Sequence, residues 1–228
     1  MNEEYTVIDD YLNLELYQQV CSGIKKLYNI FNDPNDKTNG DDFSLLSTRH
    51  KLKNNEIKTI PLFVKKYLNR VLREDTYIFA QKILYIREMQ SGIPWHIDTH
   101  ISERFDDIKK SPHIDMLFKT FPVSTCVNIY YPFVPPTMLD GQLHVKTQSG
   151  EEVAIDIKPN RMVEIKGTTL HKTSSITPGS GEYRLSMVTE QLAIPTSIGK
   201  IVSKTDLPYD GIYDQILVTD EPGEFSYL

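Results

Sequence analysis

Apolar residues in the first part of the chain recur at three- and four-residue steps. Leu12, Leu16, Val20 and Ile24, followed by Leu27 and Tyr28, fall on one face of an amphipathic helix. Asn32 to Asp42 collects Asn, Asp, Pro and Gly and reads as a loop. A second helix is expected from about Pro61, which suits a first turn, to about Arg73. Phe63, Tyr67, Leu68, Val71 and Leu72 would form its buried stripe.

From Tyr77 the period changes. Tyr77 to Ile86 is rich in Ile, Tyr, Phe and Leu and reads as a strand. Similar segments follow at Val123 to Phe133, Gln142 to Thr147, Glu152 to Ile157, Met162 to Ile165, Thr168 to Ile176 and Tyr183 to Leu192. Turn signals separate them, among them Pro135-Pro136, Asp140-Gly141, Ser149-Gly150, Pro159-Asn160 and Pro178-Gly179. Short strands at regular spacing predict an antiparallel sandwich or barrel. Helices first and strands afterwards make an α+β chain, mainly β, with helices packed outside a β-core. Ile194 to Leu228 has no clear period and is expected to wrap the core, cap one mouth or serve a dimer contact. The expected organisation is one domain: a mainly helical support over 1–76, a β-core over 77–191 and an extension over 192–228.

Composition narrows the class. Nine phenylalanines, thirteen tyrosines and many aliphatic residues can build a core, which excludes a disordered chain. Two cysteines exclude a disulfide scaffold, and Cys21 and Cys126 are expected to be reduced, buried and inert. The net charge is −6, and basic residues such as Lys25 and Lys26 or Lys65 and Lys66 form only pairs. A nucleic-acid partner needs a clustered basic footprint, so none is expected. No stretch approaches the roughly 18 apolar residues of a membrane span. Glu3, Glu4, Asp9 and Asp10 stand where an export signal requires a basic and then an apolar segment. A soluble cytoplasmic protein, monomer or homodimer, with no membrane partner, is the expectation.

The candidate chemistry begins with six histidines: His50, His96, His100, His113, His144 and His171. Ile93 to His100 reads IPWHIDTH. In an extended segment residues i and i+2 share a face, so His96 and Asp98 would present an imidazole and a carboxylate together. Two histidines and one carboxylate make the facial triad that holds non-haem Fe(II) with positions left open. A third ligand must come from a distant strand, and His171 sits in a polar, β-prone one. Arg184 follows 13 residues later, beyond a Gly-rich turn, with Ser186 on its face. Those two strands are expected to be adjacent and antiparallel. An arginine near a metal can grip a carboxylate with two parallel charge-assisted bonds. His100 could serve as a ligand only in a helix, which Pro94 opposes. His113 is expected to be exposed and His144 to point to the face opposite Leu143 and Val145.

With these residues in place, the chain resembles the Fe(II)- and 2-oxoglutarate-dependent dioxygenases of the prolyl 4-hydroxylase-like branch. That family combines His-x-Asp, a distal His, and an Arg with a hydroxyl residue two positions later. The likeness covers roughly Tyr77 to Gln191. Cys126 to Tyr131 with Asp140-Gly141-Gln142-Leu143 resembles the family's YLN…GGxL strand pair, with Tyr131-Pro132 for Leu-Asn and Gly141-Gln142 for Gly-Gly. Lys158 to Ile165 resembles its P-x-G-R-M-V-x-F segment, with Asn160 for Gly at a position that suits a turn.

The resemblance implies a double-stranded β-helix, a cupin-like jelly roll, with N-terminal flanking helices. It implies His96, Asp98 and His171 as the catalytic iron ligands. Arg184 would bind the distal carboxylate of 2-oxoglutarate, with Ser186 in support. Tyr85 lies 11 residues before His96, near where relatives keep a tyrosine on that carboxylate; it is equally a strand-core tyrosine. Asn128 and Tyr130 share a strand face and are expected to line the same pocket. The implied cofactors are Fe(II), 2-oxoglutarate and O2, with release of succinate and CO2. Halogenating relatives lack the carboxylate ligand, so Asp98 makes hydroxylation the expected outcome, with desaturation and ring formation open. The charged stretch Thr99 to Phe121 is a substrate loop or a solvated one, and Arg87 and Trp95 are candidates to meet substrate. A small molecule such as a free or carrier-bound amino acid is the expected substrate, a peptide or protein residue the alternative. Other classes are an inactive jelly-roll sensor that binds metal and 2-oxoglutarate, and a cupin-like metalloenzyme that does not use 2-oxoglutarate.

Overall fold

The structure, a computed structural model, describes residues 4–30, 40–47, 61–74, 76–86, 91–98, 124–179 and 181–193, with short segments at 216–218 and 225–227. Helix α1 (Leu14–Ile30) starts at Asn13. The Asn13 carboxamide oxygen accepts the Leu16 N–H at 2.9 Å, so Asn13 is its N-cap. Helix α2 (Leu62–Val71) follows Pro61 and buries Phe63, Val64, Tyr67, Leu68 and Val71. Leu72 is buried just beyond it, so the expected stripe is intact.

The strands in chain order are β1 (Tyr5–Ile8), β2 (Gly40–Ser47), β3 (Thr76–Ile86), β4 (Cys126–Phe133), β5 (Leu139–Asp140), β6 (Leu143–Lys146), β7 (Glu152–Ile155), β8 (Arg161–Lys166), β9 (His171–Thr173), β10 (Ile176–Thr177), β11 (Arg184–Ala193), β12 (Ile216–Val218) and β13 (Phe225–Tyr227). A six-stranded antiparallel sheet runs β1-β8-β4-β11-β3-β2, and a three-stranded one runs β7-β6-β9. β5 pairs with β10, and β12 with β13.

Alternation along the central strands divides the interior into two cores. Tyr130 of β4, Met162 of β8, and Leu185 and Met187 of β11 pack against Val20, Ile24, Phe63, Tyr67 and Leu68 of the helices. Their neighbours Val127, Ile129, Tyr131, Val163 and Ile165 pack against Leu143, Val145 and Ile155 of the small sheet. The fold is thus mainly β, with both helices on one outer face of the large sheet and the small sheet on the other.

Three local expectations change. Tyr5–Ile8, read as part of a helical region, is an edge strand paired with β8; four residues are too few for a period to declare itself. The loop expected over 32–42 gives way to β2 at Gly40, and 31–39 lie outside the described residues. Thr168 to Ile176 is not one strand. The ladder is interrupted after Thr173, but the chain keeps its partner and register: Ser174 N–H donates to Gln142 O at 3.0 Å, Gly141 N–H donates to Ser175 O at 2.7 Å, and Ile176 stands opposite Asp140 as Thr173 does opposite Leu143. β10 then joins β5. His171 and Arg184, expected on adjacent strands, are not. β9 belongs to the small sheet and β11 to the large one, and the two residues face each other across the space between.

Candidate active site

His96 and His171 are joined by their backbones. Each N–H donates to the other's carbonyl at 2.9 Å, which makes the 91–98 segment a further edge on β9. Their rings lie with centroids 4.2 Å apart. Asp98 reaches between them, with one carboxylate oxygen 3.7 Å from His96 Nε2 and the other 3.5 Å from His171 Nε2. One ligand atom from each of the three residues lies within 4.8 Å of the others.

The second ring nitrogens decide the tautomers. His96 Nδ1 is 2.8 Å from the Pro94 carbonyl, and His171 Nδ1 is 3.0 Å from the Thr169 carbonyl. A carbonyl only accepts, so both Nδ1 atoms carry a proton and both Nε2 atoms are turned toward Asp98, the atoms that would ligate a metal. Burial holds the His171 imidazole below its ordinary pKa, with His96 acting in the same sense and Asp98 opposing it. Two imidazoles and one carboxylate on one side of a space suit a divalent cation such as Fe(II).

The same space continues as a cavity of about 400 Å³ between the sheets. His96, Asp98 and His171 line one part of it, and Arg184, Ser186 and Tyr131 another. Leu84, Ile129, Leu143 and Val188 supply apolar walls. Arg184 is 3% exposed and Ser186 fully buried. Arg184 Nε and Nη1, Ser186 Oγ and Tyr131 Oη have no hydrogen-bond partner. The guanidinium sits 5.1 Å over the Tyr131 ring. Among the described residues no carboxylate pairs with it, and burial pushes its pKa down. A buried cation with orphaned donors calls for an anion, and the fork geometry of arginine calls for a carboxylate. A short dicarboxylate with one end on Arg184 and the other at the triad fits this donor set and these apolar walls.

Tyr131 was not among the pocket residues expected from sequence; Asn128 and Tyr130 were. They face the other way. Tyr130 Oη donates to Asn160 Oδ1 at 2.9 Å, and Asn128 bridges Glu164 and Gln191 on the helix side. Seven successive residues of β4 are buried, so apolarity does not reveal which parity faces the cavity. On β3 the cavity is lined by Leu84 and Ile86; Tyr85 lies between them opposite Leu185, and its side chain is outside the described residues. His144 points away from the cavity, with Nδ1 3.0 Å from Glu152 Oε1. Trp95 packs its ring against Lys146 and Lys172 and does not line the cavity. Cys21 and Cys126 are free, and burial raises the Cys126 thiol to about 12. His50, Arg87, His100, His113 and 99–121 lie outside the described residues.

No family model matches the sequence, and no curated protein matches it. Solved structures do. A prolyl hydroxylase from Trichoplax adhaerens, in complex with a hypoxia inducible factor oxygen degradation domain peptide fragment, superposes with a TM-score of 0.52. It is 12% identical over 88% of this chain and 87% of its own. The chain shares the prolyl hydroxylase fold. AviO1 from Streptomyces viridochromogenes Tue57 is also 12% identical, over 85% of this chain and 92% of its own, with a TM-score of 0.50. On this prolyl hydroxylase fold the 91–98 segment, β9 and β11 bring the two histidines, the aspartate and the buried arginine to one cavity between the sheets.

Proposed function

We propose that the protein is an Fe(II)- and 2-oxoglutarate-dependent dioxygenase that hydroxylates an unactivated C–H bond. The observation that carries this reading is Arg184, a buried cation with two orphaned donors, in one cavity with His96, Asp98 and His171. His96 Nε2, Asp98 and His171 Nε2 would hold the iron. Arg184, Ser186 and Tyr131 would hold the far carboxylate of 2-oxoglutarate, and the apolar walls would keep water from its methylenes. With iron bound, the site supplies the redox chemistry by which R–H, O2 and 2-oxoglutarate become R–OH, succinate and CO2. The chain's part is positional: it fixes both imidazole tautomers through Pro94 and Thr169, orients one carboxylate between them, and aligns the cosubstrate from its far end.

A cavity of about 400 Å³ shared with the cosubstrate favours a small substrate such as a free or carrier-bound amino acid. A peptide residue is the second reading, favoured by likeness to a prolyl hydroxylase that holds a peptide fragment. Turnover-coupled succinate release, screened against metabolites and peptides, separates the two. Without prime substrate, Fe(II), 2-oxoglutarate and O2 should give slow succinate formation. Arg184→Ala should raise the 2-oxoglutarate requirement about 10- to 100-fold, the range expected for losing charge-assisted bonds. Folded, metal-loaded protein that forms no succinate with any candidate sinks the oxygenase reading. Binding of 2-oxoglutarate without turnover would instead mark a sensor, and activity indifferent to Arg184→Ala a cupin-like metalloenzyme.

A further inference from the structure

The edge that carries His96 and Asp98 does not run in regular register along β9. His96 pairs with His171, but two residues on, Thr173 N–H donates to Ile93 O at 3.1 Å. Pro94 and Trp95 therefore stand opposite the single residue Lys172, which is a β-bulge. Proline has no N–H to give the ladder, and the bulge leaves it out. The same bulge brings the Pro94 carbonyl to His96 Nδ1. Beyond the bulge the bonding is again irregular. Ile93 N–H donates to the Thr173 hydroxyl at 3.0 Å rather than to the Thr173 carbonyl. That carbonyl is pressed against Gly92, where an added Cβ would lie 2.1 Å from it.

We propose that Thr173 is a positioning residue for the metal. Its hydroxyl takes the bond that its displaced carbonyl cannot take, and so anchors the bulge that aims His96 and Asp98 at His171. Gly92 permits the displacement. This inference rests on the metal reading above and extends it to a residue that would touch no metal.

The test is Co(II) titration of the metal-free protein, followed by visible d–d absorption, with thermal melting of the same metal-free samples. Thr173→Val keeps the shape and loses the acceptor; Thr173→Ser keeps the acceptor. Thr173→Val should bind Co(II) about 10- to 100-fold more weakly, as is usual when the support of a ligand is removed, and shift the absorption bands. Thr173→Ser should return affinity and bands close to wild type. Valine that binds like wild type, or serine as weak as valine, overturns the proposal. So does loss of affinity in both variants in step with their melting temperatures, which marks a packing role. The two readings separate through wild type and His171→Ala. If wild type binds no Co(II), or His171→Ala binds it equally, the metal reading fails and takes this one with it. If wild type binds, His171→Ala does not, and the Thr173 variants behave alike, the positioning role alone fails.

Discussion

Asn160 does more than turn the chain. Its φ of 59° lies in the left-handed region, which Asn tolerates better than most residues. Its carboxamide closes on Leu12, accepting the N–H at 3.0 Å and donating to the carbonyl at 2.9 Å, and also accepts the Tyr130 hydroxyl. One residue thus ties β8 to the entry of α1 and to β4. The motif that this segment resembles has Gly at this position, and Gly supplies the backbone angle but none of these bonds. Asn160→Gly should therefore cost at least about 2 kcal/mol in urea unfolding, since three buried groups lose a partner. Asn160→Ala should cost more, because it loses the bonds and strains the backbone as well. A second prediction concerns pH. The His171 imidazole has a folded pKa below its ordinary 6.5, mainly from burial, so the folded state binds a proton less readily than the unfolded one. Its contribution is complete above pH 6.5 and is lost as pH falls from there through the folded value. In metal-free protein, His171→Gln should flatten that acid limb by at most about 1.4 kcal/mol per pH unit. Parallel urea-midpoint profiles from pH 8 to 5 would contradict it.

At the scale of elements, the two helices cross where α1 has no side chain. A Cβ at Gly23 would lie 2.2 Å from the Phe63 ring of α2, close to the stem of that side chain. Gly23→Ala gains about 1 kcal/mol of helix propensity but overpacks by about 1–3 kcal/mol. The ring stem cannot swing aside cheaply, so net destabilisation is expected in thermal unfolding. Adding Phe63→Leu should recover part of it in a double-mutant cycle; strict additivity would show that the two side chains do not meet. Helices of this kind were legible in sequence because their stripes are long. Val20, Ile24 and the Phe63 to Leu72 set repeat often enough to fix a period and all are buried, whereas Leu12, expected on the same stripe, is buried just ahead of the Asn13 cap. β1 was illegible because four residues on a sheet edge carry almost no pattern. β4 was legible as a strand, but its orientation was not, since it is buried on both faces and has a tyrosine at each parity. His96 and Asp98 were legible for a different reason: a spacing of two fixes a shared face whatever the strand pairs with. The bulge at Pro94 and Trp95 was not, because proline signals irregular pairing without saying which partner compensates.

At the scale of the whole molecule, sequence order suggested that His171 and Arg184 were strand neighbours, whereas they stand on separate sheets. The Gly-rich turn between them carries the chain from one sheet to the other, and a linear reading cannot distinguish that from a hairpin. The consequence is energetic. The sandwich closes over a cation that none of the described residues neutralises, in a chain whose net charge is −6, so the acidic balance lies elsewhere and local placement decides what enters. Such an arrangement should weaken the ligand-free fold in favour of the bound one. Arg184→Met keeps most of the volume and removes the charge. Without metal or 2-oxoglutarate it should unfold at higher urea than wild type, since even paired buried charges replaced by well-packed apolar groups leave stability unchanged or raise it by about 1–4 kcal/mol. With Co(II) and 2-oxoglutarate at 100 times the dissociation constant, wild type should gain about 2.7 kcal/mol from the bound cosubstrate. With the 10- to 100-fold weaker affinity expected above, the methionine variant should gain only about 0.4–1.4 kcal/mol at the same concentrations and keep its response to Co(II), because the triad is untouched. Ligand-free Arg184→Met that is less stable than wild type would mean that the guanidinium is compensated within the fold, and the inference from its orphaned donors to an incoming carboxylate would fall.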